Sequence, residues 1–388
     1  MFTRQNGKIK EFTEALAPLI AILQNSHRSA HVDSCKALEE DGRKQIFYPK
    51  SNDGWLRTLF VLEGRALDRF ILPWSLVTLN AIVWTLIVEL RIPERKKIDF
   101  SSYEIFFALV LNSSLAFLLV FRLNRSAERF WNARAAWGQI LADGRTLVGG
   151  VLVHGHHDTM NRDAIIRWII AFCIATMNYI RGIPDYDPRT VLGILNKDQI
   201  DELESVPNPP IHAADQIRWH LIELFRITEN TPLSVATEWS RVRDTMERQI
   251  NDLMLQMGAL ERIQATPLPL VYVTHLRTFL LLFLLAMPYI WESTLGYATI
   301  PIVFMTSFAL LGLEGAAQEV ESPFRKGRVN HLNMDAMCLT IIANITQQVK
   351  HNADRQIRQK SNVIGKHPTS EKRASQASES KEQPAAEN

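Results

Sequence analysis

An uncharged run that breaks abruptly into arginine constrains this chain more than any other feature. Residues 105–121 (IFFALVLNSSLAFLLVF) carry no charge. That length is close to the ~20 apolar residues a helix needs to cross a bilayer. Arg122, Arg125, Glu128, Arg129 and Arg134 follow at once, interleaved with Phe130, Trp131 and Trp137. An arginine and aromatic belt at the end of an apolar helix reads as a span leaving the membrane. Inside the span, Ser113, Phe117 and Phe121 recur every fourth residue and share one helix face. Several copies of such a helix around an axis would close a narrow apolar ring. Taken alone, the spacing suits better a helix that packs an aromatic stripe on its neighbours.

Further apolar runs point the same way. Residues 70–88 are uncharged, with Pro73 near their start, where a missing N–H costs little. Residues 278–291 are short for a span and reach full length only by extension upstream to 268. That extension includes His275 and Arg277, which at membrane depth must face protein or water. Residues 293–313 form a clean fourth span, separated from the third by Glu292 alone, so a tight helical hairpin is expected there. The connection between these two spans has no Lys or Arg, whereas residues 122–145, 241–262 and 325–328 are basic. Arg91, Arg95, Lys96 and Lys97 weigh the other way. The balance places both termini and the 132–266 segment in the cytosol.

Between 132 and 266 charges recur throughout. Residues 165–180 are strongly apolar but short and interrupted by Arg167, which favours a buried helix of a cytosolic domain over a fifth span. Pro184, Pro188, Pro207, Pro209 and Pro210 are expected in loops, and 216–227 and 234–258 as amphipathic helices. The N-terminal apolar stretch lacks a small-residue cleavage site and reads as an amphipathic helix rather than a signal peptide. Residues 55–69 are amphipathic and basic, suiting a membrane surface or an ordinary core-facing helix. Residues 351–388 become too polar to bury a core and are expected to be disordered.

Several function classes fall away. A net charge of +2 argues against a dedicated nucleic-acid binder. Cys35, Cys173 and Cys338 are scattered without metal-like spacing and suggest reduced thiols. His154, His156, His157 and Asp158 could suggest a metal site, but adjacent histidines diverge on any regular element, so a solvated loop is expected. No GxSxG, HExxH, P-loop or GxGxxG arrangement occurs, so an enzyme is not expected.

Residues 121–140 (FRLNRSAERFWNARAAWGQI) resemble the signature of the bestrophin family of pentameric ion channels. Residues 261–279 (ERIQATPLPLVYVTHLRTF) resemble that family's approach to its third span. Residues 312–338, with GLEGAAQEVESPF and NHLNMDAMC, resemble its exit from the fourth. The three matches fall in the family's order and cover roughly residues 50–345. The resemblance implies an all-α, multi-pass membrane protein with four transmembrane helices per subunit, a helical cytosolic domain and a bestrophin-like homopentamer. Cytosolic N-terminal helices would occupy 1–69, spans one and two 70–121, the cytosolic domain 122–267, spans three and four 268–313, and a post-membrane segment 314–350. The expected location is the plasma membrane, and the partners are further copies of the chain, lipid and monovalent anions.

By the same resemblance, Phe117 and Phe121 match two of the family's three neck residues. The third position is Ser113, where the family has an aliphatic residue. The implied function is passive conduction of chloride and similar anions. A cation channel of the same architecture and a non-conducting membrane scaffold are the alternatives. Arg122, Arg125 and Arg129 would line a vestibule or anchor at the membrane interface. Calcium-activated members carry an acidic run after the PF motif, but Pro323 and Phe324 are followed here by Arg325, Lys326, Gly327 and Arg328, with only Glu319 and Glu321 before them. Neither a calcium gate of the animal type nor a cofactor is therefore expected. Asp335 is expected to serve packing after the fourth span.

Overall fold

A computed structural model describes residues 2–25, 66–91, 111–182, 188–326 and 328–364. The amphipathic stretch before residue 66, the loop at 92–100, the first turns of the second span and the last 24 positions lie outside the described residues. The described residues form ten α-helices: α1 (Phe2–Asn25), α2 (Leu67–Arg91), α3 (Asn112–His154), α4 (Thr159–Arg181), α5 (Lys197–Ser205), α6 (Pro209–Leu224), α7 (Leu233–Ala265), α8 (Leu270–Leu295), α9 (Thr299–Glu321) and α10 (Met334–Ile364).

The helices build two cores. Phe70, Val77 and Ala81 of α2, Leu115 and Leu119 of α3, Leu276, Leu280 and Leu284 of α8, and Val303 of α9 make the smaller one. The larger gathers α1, the lower part of α3, and α4 to α7 with α10. Among the described residues only α3 contributes to both, so this 43-residue helix joins them.

Burial separates the apolar helices into two kinds. Of the most apolar windows in Leu67–Leu90 and Leu270–Glu321, 22% and 28% is buried, against 83% of that in Thr159–Arg181. Leu72, Leu76, Leu79 and Leu90 of α2 stand exposed, an arrangement unfavourable in water and natural in lipid. α4, by contrast, is wrapped on nearly every side from Ile165 to Ile180 and belongs to the larger core.

Around the smaller core, polar side chains also tie the helices together. Asn80 donates to the carbonyl of Leu285 (3.1 Å) and accepts from the Tyr289 hydroxyl (2.9 Å). Trp74 donates its indole N–H to the carbonyl of Phe304 (3.2 Å). α2 and α9 approach closely at Gly315, where an added Cβ would lie 2.8 Å from the Phe70 ring.

Four boundaries depart from the expectations above. The hairpin does not turn at Glu292, which lies buried within α8; the turn comes at Gly296, whose φ of 52° favours glycine. Pro209 and Pro210 are not in a loop but open α6, because the side chain of Asn208 caps the helix and proline's missing N–H is free of penalty in a first turn. The HGHHD stretch is more than a loop: Asp158 accepts from the N–H groups of Met160 (3.0 Å) and Asn161 (3.2 Å) and starts α4, while His157 stacks on Trp239 at 4.6 Å. Disorder does not begin at 351, since α10 continues to Ile364 and Asn352 donates to the carbonyl of Leu152 on α3 (3.3 Å).

Candidate functional site

The upper part of α3 has two unlike sides. Leu115, Leu119, Arg122 and Ser126 are buried against the rest of the chain. Phe117 is 71% exposed and Phe121 40%, and Ser113 stands exposed one turn before them. The structure thus brings Ser113, Phe117 and Phe121 together as one file on the face of α3 that the described residues leave largely uncovered. Phe121 is not loose there. Its ring meets Tyr272 of α8 edge-on, with centroids 5.9 Å apart.

The arginines below the file divide in a way that spacing did not reveal. Arg122 is fully buried and does not face a vestibule. Its Nε donates to Glu314 (3.3 Å) and its Nη2 to Glu321 (2.8 Å), both on α9. Arg129 is also spent within the chain, donating to the backbone carbonyls of Glu321 (3.0 Å), Thr266 (2.8 Å) and Ile263 (2.6 Å). Burial lowers its pKa from the usual arginine value, partly offset by the nearby Glu321 carboxylate. The vestibule expectation is corrected for these two residues, because α9 and the end of α7 cover the face of α3 that carries them. Arg125 alone of the three remains half exposed, paired with Glu128 at 2.9 Å.

Glu314 was not singled out by the sequence. It also accepts from Arg277 at 2.8 Å, so the arginine expected at membrane depth in the third span is paired with protein. A clue was legible: Glu314 and Glu321 lie seven residues apart, two helical turns on one face of α9. Five residues, Arg122, Arg129, Arg277, Glu314 and Glu321, thus lock α3, α8 and α9 where the two cores meet.

A second cluster surrounds Glu319, which is buried beside Arg69 (3.3 Å), Arg328 (3.6 Å) and His331 (3.5 Å). Arg328 also binds Asp68 at 2.8 Å. The backbone N–H of Arg325 donates to Nδ1 of His331 (3.0 Å), and burial pushes the His331 pKa down. Asp335 takes the packing role expected of it, receiving both Nη groups of the buried Arg181 at 2.9 and 2.8 Å. Cys173 and Cys338 are buried in the larger core, where burial pushes the Cys173 thiol up to about 12. Among the described residues no three His, Cys, Asp or Glu side chains gather as a metal site would require.

A model of the family described as bacterial/fungal bestrophin proteins matches residues 45–347. The chain belongs to that family. Among its relatives, a voltage-dependent anion channel-forming protein of Nostoc sp. is 29% identical over 295 residues, covering 75% of this chain and 90% of that protein. The chloroplastic voltage-dependent chloride channel 2 of Arabidopsis thaliana is 26% identical over 240 residues, covering 61% of this chain and 54% of that protein. A crystal structure of a bacterial bestrophin homolog from Klebsiella pneumoniae superposes with a TM-score of 0.62 at 23% identity, covering 72% of this chain and 98% of that one. The bestrophin fold is therefore shared. The chain is an all-helical membrane protein of this family.

Proposed function

We propose that the protein is an ion channel that conducts chloride and other monovalent anions passively. Five copies would assemble around α3, with α2, α3, α8 and α9 as the four spans. Both termini and the larger core would lie in the cytosol, and the plasma membrane would hold the assembly. The observation that carries this reading is the uncovered file of Ser113, Phe117 and Phe121, on a membrane helix whose opposite face is sealed against its own chain. An apolar throat of this kind passes or stops ions by wetting and drying, and the positively polarised edges of its rings favour anions without a fixed charge. Relatives named as anion and chloride channels support the choice of ion.

Ser113 replaces the third apolar ring by a hydroxyl, so the outer part of the throat is less water-repellent than the inner part. Glu319 and Glu321 are engaged by arginines, which supports operation without a calcium gate of the animal type. The test is reconstitution of the purified protein in planar bilayers under asymmetric KCl. Reversal near the chloride potential is the expected result. Reversal near the potassium potential selects the cation channel, and silence from a correctly folded oligomer selects the scaffold. Mass measurement in detergent gives the subunit number, which is expected to be five.

A further inference from the structure

The file of Ser113, Phe117 and Phe121 continues past the aromatic rings. One turn further on the same face stands Arg125. Its guanidinium carbon lies 5.2 Å from the centre of the Phe121 ring, within range of cation–π attraction. Glu128 holds it from the other side, with Nη1 to Oε2 at 2.9 Å, and both side chains are half exposed. The ring of Phe121 thus contacts both Tyr272 and the Arg125 cation. Neither Arg122 nor Arg129 can supply charge to this face, since both are turned into the chain.

We propose that Arg125 is the charge-selectivity residue of the conduction path and that Glu128 attenuates it, an assignment that rests on the channel reading above. The throat carries no fixed charge, so its own preference between chloride and potassium is weak. In a symmetric assembly every copy places Arg125 just beyond its phenylalanines. The ring face and Glu128 keep the cation there instead of letting it wander in solvent. A ring of held cations concentrates anions at the inner mouth and repels cations. Glu128, three residues on and so displaced to the side of the file, cancels part of that field. The balance between the two side chains therefore sets how strictly anions are preferred.

The test compares full-length wild type with Arg125→Gln, Arg125→Lys and Glu128→Gln, each checked for oligomer size, by reversal potential in a KCl gradient. Arg125→Gln is expected to lower the chloride-to-potassium permeability ratio at least about threefold, as removal of a unit charge a few ångströms from an ion in water implies. Arg125→Lys keeps the charge and should hold the ratio close to wild type. Glu128→Gln should raise it. An unchanged ratio in Arg125→Gln overturns the assignment. So does an equal fall in Arg125→Lys, which would mark a positioning effect rather than a charge effect. If the wild type itself fails to reverse near the chloride potential, the channel reading falls before the variants are compared and takes this assignment with it.

Discussion

Arg122→Met is the sharpest probe of how the two cores are joined. Methionine roughly preserves the volume of the arginine stem but removes the charge that Glu314 and Glu321 share. Both carboxylates are mostly buried, and breaking a buried ion pair by deleting one partner costs about 3–5 kcal/mol. The full amount is not expected here. Glu314 keeps Arg277 at 2.8 Å, and Glu321 keeps the N–H of Leu268 at 3.0 Å. A loss of about 2–4 kcal/mol is the consistent estimate. For a chain of 388 residues that corresponds to a fall of about 2–5 °C in the melting temperature of the detergent-solubilised oligomer. Glu314→Gln combined with Arg122→Met should be less harmful than the sum of the two, with a coupling of about 1–3 kcal/mol. Melting within about 1 °C of wild type would refute the assignment. A selective loss of anion current without any loss of stability would instead mean that Arg122 faces water.

Three further outcomes are expected. Phe117→Ala with Phe121→Ala should raise the open probability in single-channel recordings, because the dry segment shortens and widens; unchanged gating in a folded double variant contradicts the throat. Asp335→Asn removes the bidentate partner of the buried Arg181 and should destabilise the larger core by about 2–4 kcal/mol, read as a lower melting temperature. His331, whose pKa burial lowers below the ordinary 6.5, binds a proton less readily when folded than when unfolded, so its contribution to stability is fully present above pH ~6.5 and is lost as pH falls toward the depressed value. His220 is lowered in the same way, so the informative comparison is the flatter pH-stability curve expected of His331→Gln.

The membrane helices were legible because a surface facing lipid must be apolar along its whole length, whatever lies behind it. The phenylalanine file was legible for the same reason, as a period of four needs no partner to be seen. Arg122 was not, since periodicity gives a residue's direction but not which directions neighbouring helices will cover. It shares an arginine-rich stretch with Arg125, yet α9 covers one and not the other. The turn near Glu292 was misplaced because a single charge in an apolar run looks like a break, whereas a buried glutamate can remain inside a helix. Gly296, four residues on, carried the real signal. Asn208 followed by two prolines was likewise a readable helix start, outweighed by the habit of assigning proline to loops.

The phenylalanine file and part of the larger core belong to one unbroken helix, α3, about 65 Å long at 1.5 Å per residue. Within its length there is no proline to act as a joint. A push delivered to its lower end by the helices around Leu147 and Val151 thus has a continuous helix along which to reach the phenylalanine file. The larger core is in this sense the handle of the instrument, and the aromatic rings are its tip.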